Sequence, residues 1–295
     1  MTSPPRYAQG ATRPFGDVVG ASFDDAAAVI LPAPLERTTS YVQGTRQGPA
    51  AILQASAQLE LWDEELGVEV HGRGLCTLPE MELPFDALAD ALAEIQRVAD
   101  GIVRANKFLV TLGGEHSITP PLVAATAAHH EGLSVLQIDA HADLRDEYLG
   151  ERNSHACAIR RALAYAPCTQ VGIRSLSTEE AATVESLPTM IFYDAEMRAR
   201  PTWMNDVVET LQAKVYITID CDGLDPAVMP AVGTPEPGGL GWRELLELLR
   251  LTFRSRDVVG CDVVELCPIP GQVHPNFLCA KLVYKLLTYR LADAH

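Results

Sequence analysis

The sequence predicts an α/β fold with a mostly parallel sheet covered by helices on both faces. Three observations predict it. Short β-rich runs alternate with longer amphipathic or Ala-rich stretches along the whole chain. Most of the short runs are continuously apolar, which suits strands buried on both faces better than a strand with one wet face. The most distinctive polar residues sit where such runs end. With 295 residues, the length prior lies near two domains, yet single α/β domains reach this size. No internal repeat, low-complexity run or Gly/Ser linker divides the chain.

Taken in order, Ser3-Pro4-Pro5 opens a stretch, residues 1–20, that reads as a loose tail before one domain over 21–295. The first strand is expected at 27–31. Gly48-Pro49 supplies turn and helix-start chemistry for an Ala-rich helix over 49–62. A helix over 87–106 leads into a strand at 108–112. A helix at 120–130 leads into a strand at 134–139. A helix at 155–164 precedes the strand at 169–173, and a further strand follows at 190–193. The helix at 202–213 precedes the strand at 214–220. Residues 226–241, dense in Pro and Gly, read as a long ordered loop. A helix at 242–254, a strand at 258–266 and a closing helix at 276–290 complete the chain.

Composition narrows the function. Lys and Arg number 23 against 39 Asp and Glu, a net charge of −16, so phosphate backbones and anionic membranes would repel the chain. Cationic substrates and metal ions are compatible with that balance. No apolar run approaches about 18 residues, so no membrane span is expected. Arg6 and Arg13 have no apolar core behind them, so no secretory signal is expected. The seven cysteines are odd in number, scattered and free of any CxxC, which points to reduced thiols in a cytoplasmic protein.

The chemistry gathers at three expected strand ends: Gly113-Gly114-Glu115-His116-Ser117, Asp139-Ala140-His141-Ala142-Asp143 and Asp220-Cys221-Asp222. In open α/β sheets, ligands bind at the carboxyl ends of the strands. In extended chain, residues i, i+2 and i+4 project to one side, so Asp139, His141 and Asp143 are expected to point together. Asp220 and Asp222 do likewise, with Cys221 facing away. Asp139, Asp143, Asp220 and Asp222 carry −4 when ionised, a charge that one crevice holds only with cations. Two divalent ions cancel it; one leaves −2. Oxygen-rich coordination with His116 and His141 and no thiolate favours Mn²⁺, although ligand type alone also admits Zn²⁺, Ni²⁺, Co²⁺ and Fe²⁺.

At these residues the sequence resembles the ureohydrolases, the arginase, agmatinase and formiminoglutamase family. Ser154-His155 and Val263-Val264-Glu265-Leu266 extend the likeness, as does Asp225-Pro226 after the second Asp pair. The resemblance implies a three-layer α/β/α sandwich around a mostly parallel sheet of about eight strands, and hydrolysis of a guanidinium to urea and an amine at a two-Mn²⁺ centre. It implies one ion on His116, Asp139, Asp143 and Asp220, and another on Asp139, His141, Asp220 and Asp222, with a hydroxide shared between them. His155 matches the family's proton shuttle and Glu265 the acid that holds the guanidinium. Trimers or hexamers are also implied by resemblance.

The substrate is less sharply written. Arginases place Asn where this chain has Arg145, whereas the run Asp143 to Tyr148, the stretch Ser154 to Cys157, and Glu265-Leu266-Cys267-Pro268 are similar to bacterial agmatinases. Agmatine, cleaved to putrescine and urea, is therefore the expected substrate, with Asp146, Glu147 and Glu151 as acids that could attract its ammonium. Arg145 facing the substrate tail would instead suit 4-guanidinobutyrate. Arginine, formiminoglutamate, a deacetylase-like amide and a non-catalytic metal-containing scaffold are the other readings.

Overall fold

The computed structural model describes residues 13–292. Its strands are β1 (Ala28–Ala33), β2 (Leu75–Thr77), β3 (Phe108–Gly113), β4 (Leu133–Ile138), β5 (Cys168–Ile173), β6 (Thr189–Tyr193), β7 (Lys214–Asp220) and β8 (Asp257–Val264). They form one all-parallel sheet in the order β2-β1-β3-β8-β7-β4-β5-β6. All seven strands expected from the sequence are present. The eighth, β2, is a three-residue edge strand, too short to stand out as an apolar run.

The described helices are α1 (Gly48–Ser56), α2 (Leu88–Arg104), α3 (Thr119–Ala127), α4 (Ala158–Ala162), α5 (Thr178–Thr183), α6 (Asp194–Met197), α7 (Trp203–Thr210), α8 (Trp242–Ser255) and α9 (His274–Leu291). Helices α2, α3 and α4 cover one face of the sheet and α1, α7, α8 and α9 the other. The continuous apolar runs now have their reason. In β1, Ala28 and Ile30 enter one core while Val29 and Leu31 enter the opposite one, so every position needs an apolar side chain.

Some boundaries differ from expectation. The first helix stops at Ser56, whose hydroxyl donates to Leu53 O and accepts from Gly16 N, tying the helix end to the N-terminal segment. The helix expected over 155–164 is a 3₁₀ turn, His155–Cys157, followed by the single α-turn of α4. Helix α5 was not expected, although Ser177 and Glu180 form a capping box that the sequence spells out. Of the stretch read as a tail, residues 1–12, Ser3-Pro4-Pro5 among them, lie outside the described residues. Phe15 is buried and stacks on Tyr284, with ring centroids 6.4 Å apart.

The topology decides where ligands can sit. The chain builds β1 to β3, jumps to β4, and inserts β7 and β8 into the gap later. The four central strands β3, β8, β7 and β4 are thus neighbours, and their carboxyl ends open side by side at the point where connections diverge. Their registers are aligned, with Leu112 opposite Val263, Asp220 opposite Val264, and Ile138 opposite Ile219.

Candidate metal centre

Each of these four strand ends delivers one group of the expected site. The loop after β3 turns into the 3₁₀ segment His116–Ile118, the loop after β4 carries Asp139 to Asp143, β7 ends on Asp220, and Glu265 follows β8. Two glycines permit the approach. A Cβ on Gly223 would lie 2.7 Å from Asp139 N, and one on Gly114 would lie 1.9 Å from Leu35 O, so any side chain there would push the β4–β7 and β1–β3 loops apart.

The candidate ligands converge by turns rather than by the extended alternation the spacing suggests. Strand β4 ends at Ile138, and Asp143 adopts a left-handed φ of 53°. Asp139 Oδ1 accepts His141 N at 2.6 Å, and Asp139 Oδ2 accepts Gln137 Nε2 at 2.6 Å. Asp220 Oδ1 accepts Asp222 N at 2.9 Å and caps the 3₁₀ turn Cys221–Gly223. The two side-chain-to-backbone bonds, on His141 N and Asp222 N, set each loop before anything binds. Cys221 points into the core, its sulfur 3.5 Å from that of Cys279.

Two donor clusters result. His116 Nδ1 lies 3.2 Å from Asp139 Oδ2, 3.0 Å from Asp143 Oδ2 and 3.3 Å from Asp220 Oδ2. His141 Nδ1 lies 2.9 Å from Asp222 Oδ2 and 3.7 Å from Asp139 Oδ1. The groups His116–Asp139–Asp220 and Asp139–His141–Asp222 each offer donor atoms within 4.8 Å of one another and could hold a metal ion. Asp139 is shared between them. Asp220 stands with the first cluster only.

The protons show why a cation fits. Thr218 donates its only hydroxyl hydrogen to Asp262 Oδ1 at 2.6 Å, so its oxygen accepts from His116 Nε2 at 2.9 Å. In the neutral ring that leaves a lone pair on His116 Nδ1. The atom is fully buried, has no hydrogen-bond partner and faces three carboxylate oxygens. A lone pair set among anions is repulsive until positive charge arrives at their common centre. The ionisation of the cluster says the same. Burial alone would keep His116 neutral, but Asp139, Asp143 and Asp220 outweigh it and push its pKa well up. Burial also opposes charge on His141, yet Asp222 drives it up to about 11. Burial and the charge of Asp222 raise Asp139 to about 7.

Glu265 is buried, holds a φ of 62° and accepts His116 N at 2.7 Å. Burial first, then the neighbouring charge of Glu115, raises its pKa well above the usual range. His155 sits across the same cavity, a pocket of about 230 Å³ lined among others by Ser40, His141, Tyr148, Asp222 and Glu265. All eight residues singled out from the sequence are thus gathered about one pit.

The loop acids fare otherwise. Asp146 pairs with Arg152 and Arg161 and borders a different hollow, and neither Glu147 nor Glu151 lines the pit. The loop closes on itself through a Tyr148–Glu151 backbone pair. Arg145 does line the pit, but its Nε lies 3.8 Å from Glu180 Oε2 and its guanidinium stacks 5.1 Å from the Tyr148 ring centre. Sequence reading missed Thr39, Ser40 and Val42, supplied by the loop after β1, where no motif marks them. It also missed Glu236, 4.0 Å from His141 Nε2.

Comparison with known proteins agrees with this geometry. The sequence model of the arginase family matches residues 26–288. An N(1)-aminopropylagmatine ureohydrolase of Synechocystis sp. is 42% identical over 299 residues, covering 98% of this chain and 97% of that protein. An agmatinase of Bacillus anthracis is 33% identical over 253 residues, 84% of this chain and 86% of that one. The crystal structure of the agmatine ureohydrolase of Thermoplasma volcanium superposes with a TM-score of 0.86 at 30% identity, over 96% of this chain and 95% of that chain. With eight parallel strands in this order, paired His/Asp clusters at their ends, and a match over most of its length, the chain belongs to the arginase family.

Proposed function

We propose that this chain is a two-Mn²⁺ ureohydrolase that releases urea from a linear guanidino amine, N(1)-aminopropylagmatine ahead of agmatine. The observation that carries the reading is the unpartnered His116 Nδ1 among three carboxylates, in the same pit as Glu265 and His155. The six ligands are His116, Asp139, His141, Asp143, Asp220 and Asp222. These residues would hold two Mn²⁺ ions, which would offset the −4 of the aspartates and supply a water of lowered pKa.

The chain's own residues do the rest. Glu265, buried on the wall of the pit, accepts N–H bonds from the guanidinium and fixes its plane. His155 gives a proton to the leaving nitrogen, since an amine cannot depart as an anion. Arg145 leans on Tyr148 with Glu180 3.8 Å from its Nε, a setting within the protein that supports an amine over a carboxylate tail. The Synechocystis relative's name supports aminopropylagmatine as the first reading, and the agmatinase of Bacillus anthracis supports agmatine as the second. Seven free, buried thiols support a cytoplasmic location.

Urea release from N(1)-aminopropylagmatine, agmatine, arginine and 4-guanidinobutyrate, with Mn²⁺ in excess, tests the assignment. The two amines are expected to be the fastest. Faster turnover of either carboxylate-bearing guanidine would overturn it.

A further inference from the structure

Glu115 lies beside the ligand His116 in sequence, yet it is neither in the donor clusters nor on the wall of the pit. It is completely buried, and its carboxylate is ringed by donors. Arg37 N (2.5 Å) and Thr38 N (2.7 Å) donate to Oε2. The hydroxyls of Thr38 (2.7 Å) and Ser117 (2.5 Å) donate to Oε1. Four donors and no acceptor define an acceptor-only carboxylate.

The consequence passes through Thr38. Its single hydroxyl hydrogen is spent on Glu115, so its oxygen can only accept. It accepts the backbone N–H of His155 at 2.9 Å and lies 3.3 Å from His155 Nδ1. A hydrogen on Nδ1 gives that oxygen a second donor, and a serine hydroxyl beside it can accept as well as donate. Ser154 Oγ lies at the same 3.3 Å from Nδ1, and Tyr148 packs against the ring at right angles, 6.0 Å between centroids. With the hydrogen on Nδ1, the basic nitrogen of the neutral ring is Nε2, beside Ser40 Oγ at 3.5 Å.

We propose that Glu115 and Thr38 are positioning residues that hold neutral His155 with its hydrogen on Nδ1, so that proton exchange with the substrate runs through Nε2. The inference rests on reading His155 as the proton donor. In the step it serves, the C–N bond breaks and its electron pair stays on the leaving nitrogen. That nitrogen takes the Nε2 proton of the imidazolium, which returns to the Nδ1–H form that Thr38 accepts. A ring free to choose its tautomer would spend part of its time with Nε2 protonated and unable to be recharged there.

The test uses the Mn²⁺-loaded protein with agmatine and N(1)-aminopropylagmatine, and compares Thr38→Val, Thr38→Ser, His155→Asn and the Thr38→Val/His155→Asn double variant. Thr38→Val is expected to lower kcat about ten- to hundredfold, a fraction of what general acid–base catalysis supplies, with KM and bound Mn²⁺ unchanged. Thr38→Ser, which keeps the hydroxyl, is expected to restore most of it. In the His155→Asn background, Thr38→Val should cost nothing further. An equal loss in that background, or full kcat in Thr38→Val while His155→Asn is impaired, overturns this inference and leaves the donor reading standing. Full activity in His155→Asn overturns both. Independently of any variant, ¹⁵N NMR of the metal-free wild type should find Nδ1 of His155 protonated; a protonated Nε2 in the neutral ring would overturn the inference.

Discussion

Thr218→Val removes one hydroxyl at a fully buried position and keeps nearly the same side-chain volume. In the native protein that hydroxyl donates to Asp262 Oδ1 at 2.6 Å and accepts from His116 Nε2 at 2.9 Å. Valine leaves both groups without this partner in the interior. An unsatisfied buried polar group costs about 1–3 kcal/mol. Asp262 retains the Tyr216 hydroxyl at 2.9 Å and that of Thr119 at 3.1 Å, both on Oδ2, so its share lies at the low end. A combined loss of about 2–4 kcal/mol in the stability of the metal-free protein follows, measurable by urea unfolding. The second effect is the more telling one. The Thr218–Asp262 pair is what turns the His116 lone pair toward Asp139, Asp143 and Asp220, and losing such support typically costs about 10- to 100-fold in metal affinity. Mn²⁺ titration calorimetry, with a competing chelator for tight sites, should show that loss in Thr218→Val and its recovery in Thr218→Ser. Native affinity in Thr218→Val would refute the argument that this buried pair orients the ligand, even if stability falls.

Two further outcomes follow from the same geometry. Glu265→Gln keeps an oxygen for His116 N but loses the charge that meets the guanidinium; a charge-assisted bond is worth about 1.5–3 kcal/mol, so kcat/KM for agmatine should fall about 10- to 150-fold with bound Mn²⁺ unchanged, and a smaller fall would contradict that role. The pH dependence of stability should change sign with metal. In the metal-free protein, Asp139 is raised to about 7 by burial and Asp222, and His141 to about 11 against burial by Asp222, so the native state holds more protons than the unfolded chain. Stability then falls as pH rises, through Asp139 between the ordinary carboxylate range and about 7, and through His141 from its ordinary value upward. With Mn²⁺ bound, protons compete with the ions and the slope reverses. Thermal unfolding between pH 6 and 9, in chelator and in Mn²⁺, checks this; parallel slopes would contradict it.

Much of this molecule was legible in the chain. Strands buried on both faces write themselves as mainly apolar runs, so β1, β3, β4, β5, β7 and β8 stand out, and the edge strand β6 shows through its β-rich Met190–Tyr193. The Asp139 to Asp143 and Asp220 to Asp222 spacings, with His116, mark the pit because four carboxylates in one place require cations. The reason for their convergence was not legible. It lies in turns set by the Asp139–His141 and Asp220–Asp222 side-chain bonds and a left-handed Asp143, not in extended alternation. Thr38, Ser40 and Glu236 come from loops whose residues are common anywhere, and only tertiary contact gives them meaning. The partner of Arg145 is Glu180, thirty-five residues away on a helix with its own capping role, which no local pattern announces.

The central claim is that two cations share this pit. Anomalous X-ray diffraction from crystals loaded with Mn²⁺ tests it most directly. The account predicts two manganese peaks, one bounded by His116, Asp139, Asp143 and Asp220 and the other by Asp139, His141 and Asp222. A single peak at saturating Mn²⁺, or none between these side chains, would contradict it.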